Sequence, residues 1–199
     1  MTFRLGLTGS IGMGKSATAA LFAARGYPVW DADQAVHDLY AVGGAAVVPV
    51  ANAFPLALRD GGIDRTALKV ALARDPGQLS SLEAIVHPLV SADRAAFIAA
   101  AEAANLPLIV LDIPLLFETG AQAMLDGVAV VSTDPAIQRA RVLARPGMTE
   151  AALDLILARQ MPDADKRSRA RWVIPTDTRE AAAAAVDAII AEILKAKDA

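Results

Sequence analysis

One eight-residue stretch constrains the fold of this chain more than any other. Residues 9–16 read GSIGMGKS, and they stand between the apolar run FRLGLT and the helix-like run ATAALFAARG. A glycine-rich turn between a strand and a helix, with the pattern G-x-x-x-x-G-K-[ST], is typical of loops that surround phosphate with backbone N–H groups. The stretch therefore predicts an α/β fold with a phosphate-binding loop, or P-loop, after the first strand.

The residue types in this loop have separate roles. Glycines such as Gly9 and Gly14 permit backbone conformations and close approaches that a Cβ would prevent. Lys15 is expected to reach the β and γ phosphates of a nucleotide, and to face solvent when none is bound. The hydroxyl of Ser16 is expected to bind Mg²⁺. The loop thus predicts a site for a nucleoside triphosphate with its metal ion.

Short β-rich runs alternate along the chain with longer alanine-rich runs, which predicts parallel strands joined by crossover helices. We place five strands near residues 3–8, 27–30, 107–113, 128–133 and 171–175. The second and third are separated by about 75 residues, more than one crossover helix needs. We therefore expect a single domain over residues 1–199, with a core at 1–31 and 106–199 and a helical insertion over about 32–105.

The last helix has a clear predicted start and a clear buried face. Asp177 and Glu180 have the spacing of a capping box, so we expect the helix to begin there. Its apolar residues recur at helical spacing and predict one buried stripe. That stripe comprises Val186, Ile189, Ile190, Ile193 and Leu194.

Composition excludes several classes of protein. The net charge is −3, there are no cysteines, and the two histidines are too few for a zinc cluster. A protein that mainly binds nucleic acid needs a basic surface, which this balance argues against. No run approaches the eighteen or so unbroken apolar residues of a membrane span, and the N-terminus resembles neither a signal nor a transit peptide. We expect a cytoplasmic protein that binds neither membrane nor nucleic acid.

Carboxylates follow two of the predicted strands. Asp31 and Asp33 come after the second strand, and Asp112 lies near the end of the third. Ligands in open α/β sheets bind beyond the carboxyl ends of the strands. Asp31 has capping-box spacing with Gln34, so a capping role and a role in the site both remain open for it. Asp33 is a candidate general base, and Asp112 a candidate Mg²⁺ ligand or a strand-end cap.

Several further stretches carry a family resemblance. They are LGLTGSIGMGKS, VWDAD at 29–33, DGGIDRTAL at 60–68, IVHPLV at 85–90, DIPLLFE at 112–118, and the spacing of Gln138, Arg141 and Arg145. Together, over essentially the whole chain, these motifs resemble the dephospho-CoA kinase family. The resemblance implies a five-stranded parallel P-loop kinase core with an inserted helical substrate-binding subdomain and a helical lid over about residues 139–170. It also implies transfer of the γ-phosphoryl group of ATP to the ribose 3′-hydroxyl of dephospho-CoA, which gives coenzyme A.

The resemblance implies roles for named residues. The proposed base is Asp33, with Lys15, Arg141 and Arg145 as the other catalytic residues and Ser16 and Asp112 as Mg²⁺ ligands. ATP contacts fall on Gly9, Ile11, Gly12, Met13, Gly14, Lys15 and Ser16. Acceptor contacts fall on Thr8, Asp33, Arg65, His87, Leu115, Leu116 and Glu118. The implied partners are ATP and dephospho-CoA alone, in a monomer or weak homo-oligomer.

Residue patterns leave alternatives to some of these roles. Arg141 and Arg145 are four apart, which would place both on one helix face that could equally be a solvated surface. His87 before Pro88 is expected at the entry of a helix, and His37 at the surface. Leu115 and Leu116 are core residues by helical spacing alone.

The chain also departs from the family pattern near the last strand. Arg171 and Thr176 replace the family's usual aspartate and asparagine, which bears on nucleotide affinity or base preference. A nucleoside or nucleoside monophosphate kinase and a nucleotide-dependent switch or assembly ATPase are the other classes considered. No guanine-binding NKxD sequence follows the fourth predicted strand, which argues against a GTPase switch.

Overall fold

The computed structural model describes residues 1–197. They fall into two compact units, of which the first comprises Met1–Trp30 with the chain from Ala101 onward and the second comprises Asp31–Ala100. Each unit has its own apolar core. The P-loop belongs to the first unit, and so does the central sheet except for Asp31, the last residue of its strand at 29–31.

Seven strands occur among the described residues: β1 (Phe3–Thr8), β2 (Val29–Asp31), β3 (Leu58–Arg59), β4 (Gly62–Ile63), β5 (Leu108–Asp112), β6 (Gly127–Ser132) and β7 (Trp172–Pro175). Five of them form a parallel sheet in the order β2-β5-β1-β6-β7, which confirms the predicted fold class. The hairpin of β3 and β4 is antiparallel and was not predicted.

Nine α-helices occur among residues 1–197. They are α1 (Lys15–Ala24), α2 (Ala32–Tyr40), α3 (Val47–Ala53), α4 (Arg65–Arg74), α5 (Leu79–Ala103), α6 (Pro135–Leu143), α7 (Glu150–Leu157), α8 (Asp163–Arg169) and α9 (Arg179–Lys197).

The second strand begins later than predicted because of how α1 ends. Gly26 has a φ of 86°, and the N–H of Tyr27 donates to the carbonyl of Phe22 at 3.2 Å. This is the six-to-one bond of a helix C-terminal motif. Tyr27 is therefore part of the helix end, and β2 starts two residues further on.

The core of the first unit forms where apolar strands meet α1 and α9. All five residues of β5 are buried, as expected for an inner strand of a parallel sheet. Gly6 of β1 allows a close approach, since a Cβ there would lie 2.4 Å from Leu125 Cδ1. The predicted stripe of α9 is buried at Val186, Ile189, Ile190 and Ile193, while Leu194 is half-buried.

The start of α9 differs from the prediction. The hydroxyl of Thr178 accepts the N–H of Ala181 at 3.1 Å, so Thr178 caps the helix. Asp177 instead accepts the hydroxyl of Thr133 at 2.7 Å. The carboxylate of Asp177, which local spacing predicted as the cap, is therefore engaged in a long-range hydrogen bond instead.

The second unit is helical, apart from the β3–β4 hairpin. The hairpin turn has positive φ at both central residues, Asp60 (50°) and Gly61 (80°), which is the geometry that suits a two-residue hairpin. Asp64 then caps α4 by accepting the N–H groups of Thr66 and Ala67. His87 and Pro88 lie inside α5 rather than at a helix entry, so that prediction was wrong.

Residues 76–103 are long and apolar enough to cross a membrane by length and composition, and an 18-residue window within them has a mean hydropathy of 1.3. The same stretch carries Glu83, Asp93 and Arg94. Charged groups are costly in hydrocarbon. Length and composition alone are thus weak evidence, and we do not assign a membrane span here.

Candidate active site

The P-loop is shaped by glycines that no other residue could replace without strain or collision. Gly12 and Gly14 have φ values of 77° and 87°, which favour glycine. A Cβ on Gly9 would lie 2.3 Å from Val131 Cγ2. A Cβ on Gly12 would lie 2.4 Å from Val142 Cγ2, in α6. The loop is therefore packed tightly against β6 and α6.

The loop presents several backbone N–H groups that have no acceptor within the described residues. Ile11 donates its N–H to Gln160 Oε1 at 3.1 Å, and Met13 donates to the carbonyl of Ser10 at 3.2 Å. Within residues 1–197 the N–H groups of Gly12, Gly14, Lys15 and Ser16 have no such acceptor. They stand at the N-terminus of α1, where the helix dipole also favours an anion.

The prediction that Lys15 faces solvent without nucleotide is wrong. Its ammonium forms an ion pair with Asp112 Oδ1, and its side chain is only 14% exposed. Asp112 is fully buried at the end of β5. Burying a carboxylate without a counter-charge is strongly unfavourable, so Lys15 compensates it.

Ser16 is the second residue of α1 and is exposed. Within residues 1–197 there is no group of three or more His, Cys, Asp or Glu side chains that could hold a metal ion. A divalent ion near Ser16 would thus need phosphate oxygens and water as further ligands. This is how Mg²⁺ is commonly held beside nucleotides.

Thr176, where the resemblance leads us to expect asparagine, contacts the P-loop directly. Its hydroxyl donates to the carbonyl of Met13 at 2.7 Å, and its Cβ lies 3.1 Å from the position that a Cβ on Gly14 would occupy. Arg141 Nη2 in turn donates to the carbonyl of Thr176 at 2.7 Å. These bonds link the loop to the end of β7 and to α6.

Arg145 is not on the same helix face as Arg141, because α6 ends at Leu143. Arg145 lies in the turn that follows and is exposed. Arg141 is half-buried and already bonded to Thr176. The two arginines therefore differ in their freedom to reach a ligand.

The other departure, Arg171, is accommodated at the surface. Its guanidinium pairs with Glu192 at 2.7 Å and lies 4.4 Å from the ring centroid of Trp172. A cation over an aromatic face is favourable. Arg171 thus ties β7 to α9.

The segment after β5 contains three of the predicted acceptor contacts, Leu115, Leu116 and Glu118, and a fourth, Thr8, forms a hydrogen bond with it. Thr8 is buried and donates its hydroxyl to the carbonyl of Pro114 at 3.0 Å. Leu115 is 41% exposed, whereas Leu116 is fully buried in the core. As packed, Leu116 has no surface for a ligand, and its predicted role as a contact is not compatible with this packing.

Glu118 has protein partners in this structure. Its Oε1 accepts the N–H of Met161 at 2.8 Å and lies 2.9 Å from Nζ of Lys166, which is fully buried. Burial raises the pKa of Glu118, but the bonds from Lys166 and Met161 lower it more, so the net shift is downward. The pair anchors α8 to the end of β5.

The carboxylates after β2 have different environments in the second unit. Asp31 accepts the N–H groups of Asp33 and Gln34, at 2.8 and 3.1 Å, and so caps α2. Asp33 is exposed in the first turn of α2, and no partner for its side chain occurs among the described residues. The capping alternative for Asp31 is confirmed.

Arg65 and His87 also lie in the second unit, and both are exposed. Arg65 is the first residue of α4 and lines an open cleft of about 520 Å³. Its lining includes His37, Tyr40, Arg59 and Asp64 as well. His37 is exposed, as predicted. The nearby Arg59 pairs with Asp64 at 3.3 Å, which leaves Arg65 as the other cation of the cleft.

The sequence reasoning missed Gln160 and Lys166. Gln160 contacts a loop 149 residues away, and Lys166 pairs with a carboxylate on another element. Neither residue belongs to a local motif. The charged sequence around Lys166 gives no sign that this lysine is buried, so no local signal identifies it or its partner.

A parallel sheet with a P-loop after β1, a buried acidic residue at the end of β5 and a lysine paired to it are features of the P-loop nucleotide-binding class of α/β proteins. Comparisons with known proteins agree. Residues 3–181 match the family model described as dephospho-CoA kinase. The chain is 58% identical to the dephospho-CoA kinase of Cereibacter sphaeroides, over 99% of this chain and 98% of that protein.

Two solved structures are similar in fold to this chain. One is TT1252 of Thermus thermophilus, which is 35% identical to this chain and superposes with a TM-score of 0.80. The match covers 96% of this chain and 97% of that protein. The other is the dephospho-CoA kinase of Campylobacter jejuni, which is 20% identical and has a TM-score of 0.68. The match covers 96% of this chain and 97% of that protein, and it supports the fold. The chain belongs to the dephospho-CoA kinase family, the kinases of the final step of coenzyme A synthesis.

Proposed function

We propose that this kinase transfers the γ-phosphoryl group of ATP to the ribose 3′-hydroxyl of dephospho-CoA, and that Mg²⁺ assists. The observation that carries the proposal is the P-loop, where N–H groups that have no acceptor among residues 1–197 lie beside the Lys15–Asp112 pair. Phosphoryl transfer needs charge neutralisation and positioning more than covalent chemistry. Gly9, Ile11, Gly12, Met13 and Gly14 shape the cradle, and Lys15 and Ser16 complete it.

Lys15 has two roles in this proposal. Without nucleotide it neutralises the buried Asp112, and with ATP bound it turns to the β and γ phosphates. Asp112 and Ser16 would then be the residues that hold Mg²⁺, and the ion would supply positive charge to the phosphate oxygens. The exposed Ser16 hydroxyl and the acidic residue at a strand end are the donor types that such a site requires.

Asp33 is the proposed general base. The acceptor's 3′-oxygen attacks the γ-phosphorus, the bond to the β–γ bridging oxygen breaks, ADP leaves, and the hydroxyl proton passes to the Asp33 carboxylate. Asp33 is exposed and two residues beyond β2, while Asp31 is engaged as a cap. Its carboxylate has no partner among the described residues, which supports this role for Asp33 over Asp31.

The arginines contribute differently. Arg145 is exposed and can supply positive charge to the transferring group. Arg141 can reach the nucleotide only by giving up its bond to Thr176. We propose that both act from a helical lid over about residues 139–170.

For the acceptor, we propose that Arg65 and His87 in the insertion at about 32–105 contact dephospho-CoA, with Thr8, Leu115 and Glu118 at the end of the core. The open cleft beside Arg65 offers a cation for the diphosphate of this acceptor. Leu116 supports Leu115 from the core. We also propose a cytoplasmic enzyme with small-molecule substrates only, acting as a monomer or weak homo-oligomer, since the net charge of −3 does not favour nucleic acid.

A product assay tests the proposal. ATP consumption is measured with dephospho-CoA, adenosine, AMP and CMP as acceptors, and the product is analysed by mass spectrometry and phosphorus NMR. Phosphate on the ribose 3′-oxygen of dephospho-CoA is the expected result. Phosphate on a 5′-oxygen, or preferred use of AMP or CMP, would instead identify a nucleotide kinase.

A further inference from the structure

The peptide groups of Ile11 in the P-loop are held from two sides by side chains of distant elements. Gln138 in α6 donates its amide Nε2 to the carbonyl of Ile11 at 2.7 Å. Gln160, which follows α7, accepts the N–H of Ile11 on its Oε1 at 3.1 Å. Gln138 is 7% exposed, and Gln160 is half-buried.

These two bonds fix the direction of the loop that follows. An N–H and a carbonyl engaged by protein cannot turn toward a phosphate, so the orientation of Gly12 and Gly14 is set from one end. The other end is held by Thr176 on the carbonyl of Met13. The N–H group of Gly12 between them, and those of Gly14, Lys15 and Ser16 after Met13, remain free of protein acceptors within residues 1–197.

The bond from Gln160 also joins the loop to the segment that ends the proposed lid. Met161, the next residue, donates its N–H to Glu118, and Lys166 pairs with the same carboxylate. The stretch from Gln160 to Lys166 is therefore tied both to the P-loop and to the end of β5.

We propose that Gln160 is a positioning residue which, together with Gln138, holds the Ile11 peptide and so orders the P-loop for ATP. The inference rests on the proposed function in that it takes ATP as the ligand of the loop. Gln160 does not touch the reacting atoms. It lowers the conformational freedom that the loop would otherwise lose when the triphosphate binds.

The test uses Gln160→Met, which keeps the length of the side chain and removes the acceptor. Gln122→Met is the matched control, because Gln122 is an exposed glutamine in the same unit. The KM for ATP should rise about 3- to 10-fold in Gln160→Met, the change that one neutral hydrogen bond produces. The KM for dephospho-CoA and the melting temperature should match those of the control.

A cycle with Gln138→Met separates positioning from a general loss of structure. Both glutamines hold the same residue, so their effects on the dissociation constant of ATP should be non-additive. Additive effects, or a KM for ATP equal to that of Gln122→Met, would overturn the proposal.

Hydrogen exchange of the Ile11 amide gives a readout that needs no activity. In the nucleotide-free full-length protein, this amide should exchange at least about tenfold faster in Gln160→Met than in the wild type. Unchanged protection would refute the role of Gln160 even if the wild type phosphorylates dephospho-CoA. Conversely, faster exchange in a protein that uses a different acceptor would leave the positioning role intact and reject only the proposed function.

Discussion

At the scale of single residues, the environment of each charged group decides what it can do. Asp31 and Asp33 stand two residues apart, yet one accepts two backbone N–H groups and the other has an exposed carboxylate. Asp112 and Lys15 neutralise each other at the end of β5. Side chains that look alike in the sequence thus differ in which lone pairs and charges remain available to a substrate.

Replacement of Asp33 by Asn tests the general base. The change keeps the shape of the side chain and removes the basic lone pair, so kcat should fall by about two to four orders of magnitude while ATP binding is kept. Asp31→Asn is the control, because Asn is as good a cap as Asp. If ATP affinity falls and kcat does not, Asp33 is a structural or metal-binding group.

Replacement of Lys15 by Ala has a second consequence besides lost activity. It leaves the buried Asp112 carboxylate without its counter-charge, so the free energy of unfolding should fall by about 3–5 kcal/mol. Denaturant unfolding of Lys15→Ala and Lys15→Ala/Asp112→Asn measures this. The double variant should recover part of the loss. A single variant as stable as the wild type would show that Asp112 is compensated elsewhere.

At the scale of elements, several local signals predicted the structure correctly, whereas the predictions of a cap at Asp177 and of a helix entry at His87 were wrong. The glycine loop, the apolar strands and the cap at Asp31 follow from residues close in sequence, so a pattern can identify them. Thr178 caps α9 instead of Asp177, because the Asp177 carboxylate accepts the hydroxyl of Thr133, 44 residues away. Lys166 and Gln160 likewise act on partners that only the folded chain brings near.

The Glu118–Lys166 pair that anchors α8 should make stability depend on pH. The pKa of Glu118 is lowered on folding, so its contribution to stability is full above the unfolded value and is lost as pH falls through the folded value. Glu118→Gln should thus be less stable than the wild type at neutral pH, and the difference should shrink as the solution becomes acidic.

Chemical denaturation of both proteins at a series of pH values from neutral to acidic measures this difference. Glu83→Gln, an exposed change on α5, is the control and should show little difference at any pH. A difference for Glu118→Gln that stays constant with pH would mean that the ionised carboxylate does not stabilise the anchor.

At the scale of the whole molecule, the proposed nucleotide-binding residues and the proposed acceptor-binding cleft lie in different units. The P-loop and its supports are all in the first, and the cleft beside Arg65 is in the second. An acceptor with a long arm gives the second unit a purpose, since binding energy from that arm can orient the 3′-hydroxyl. Adenosine and AMP lack the arm, so kcat/KM for them should be lower by at least about two orders of magnitude, ~2.7 kcal/mol.

A change at Arg65, in the second unit, should affect the two acceptors dephospho-CoA and adenosine differently. Arg65→Met should lower kcat/KM for dephospho-CoA and leave kcat/KM for adenosine nearly unchanged, because adenosine has no diphosphate for Arg65 to bind. The dissociation constant of ATP should not change. Arg74→Met, at the far end of α4 and outside the cleft, is the matched control. Steady-state kinetics with both acceptors measure these values. An equal loss for both acceptors would mean that Arg65 acts on the fold or on the reacting ribose, and that the arm is held elsewhere.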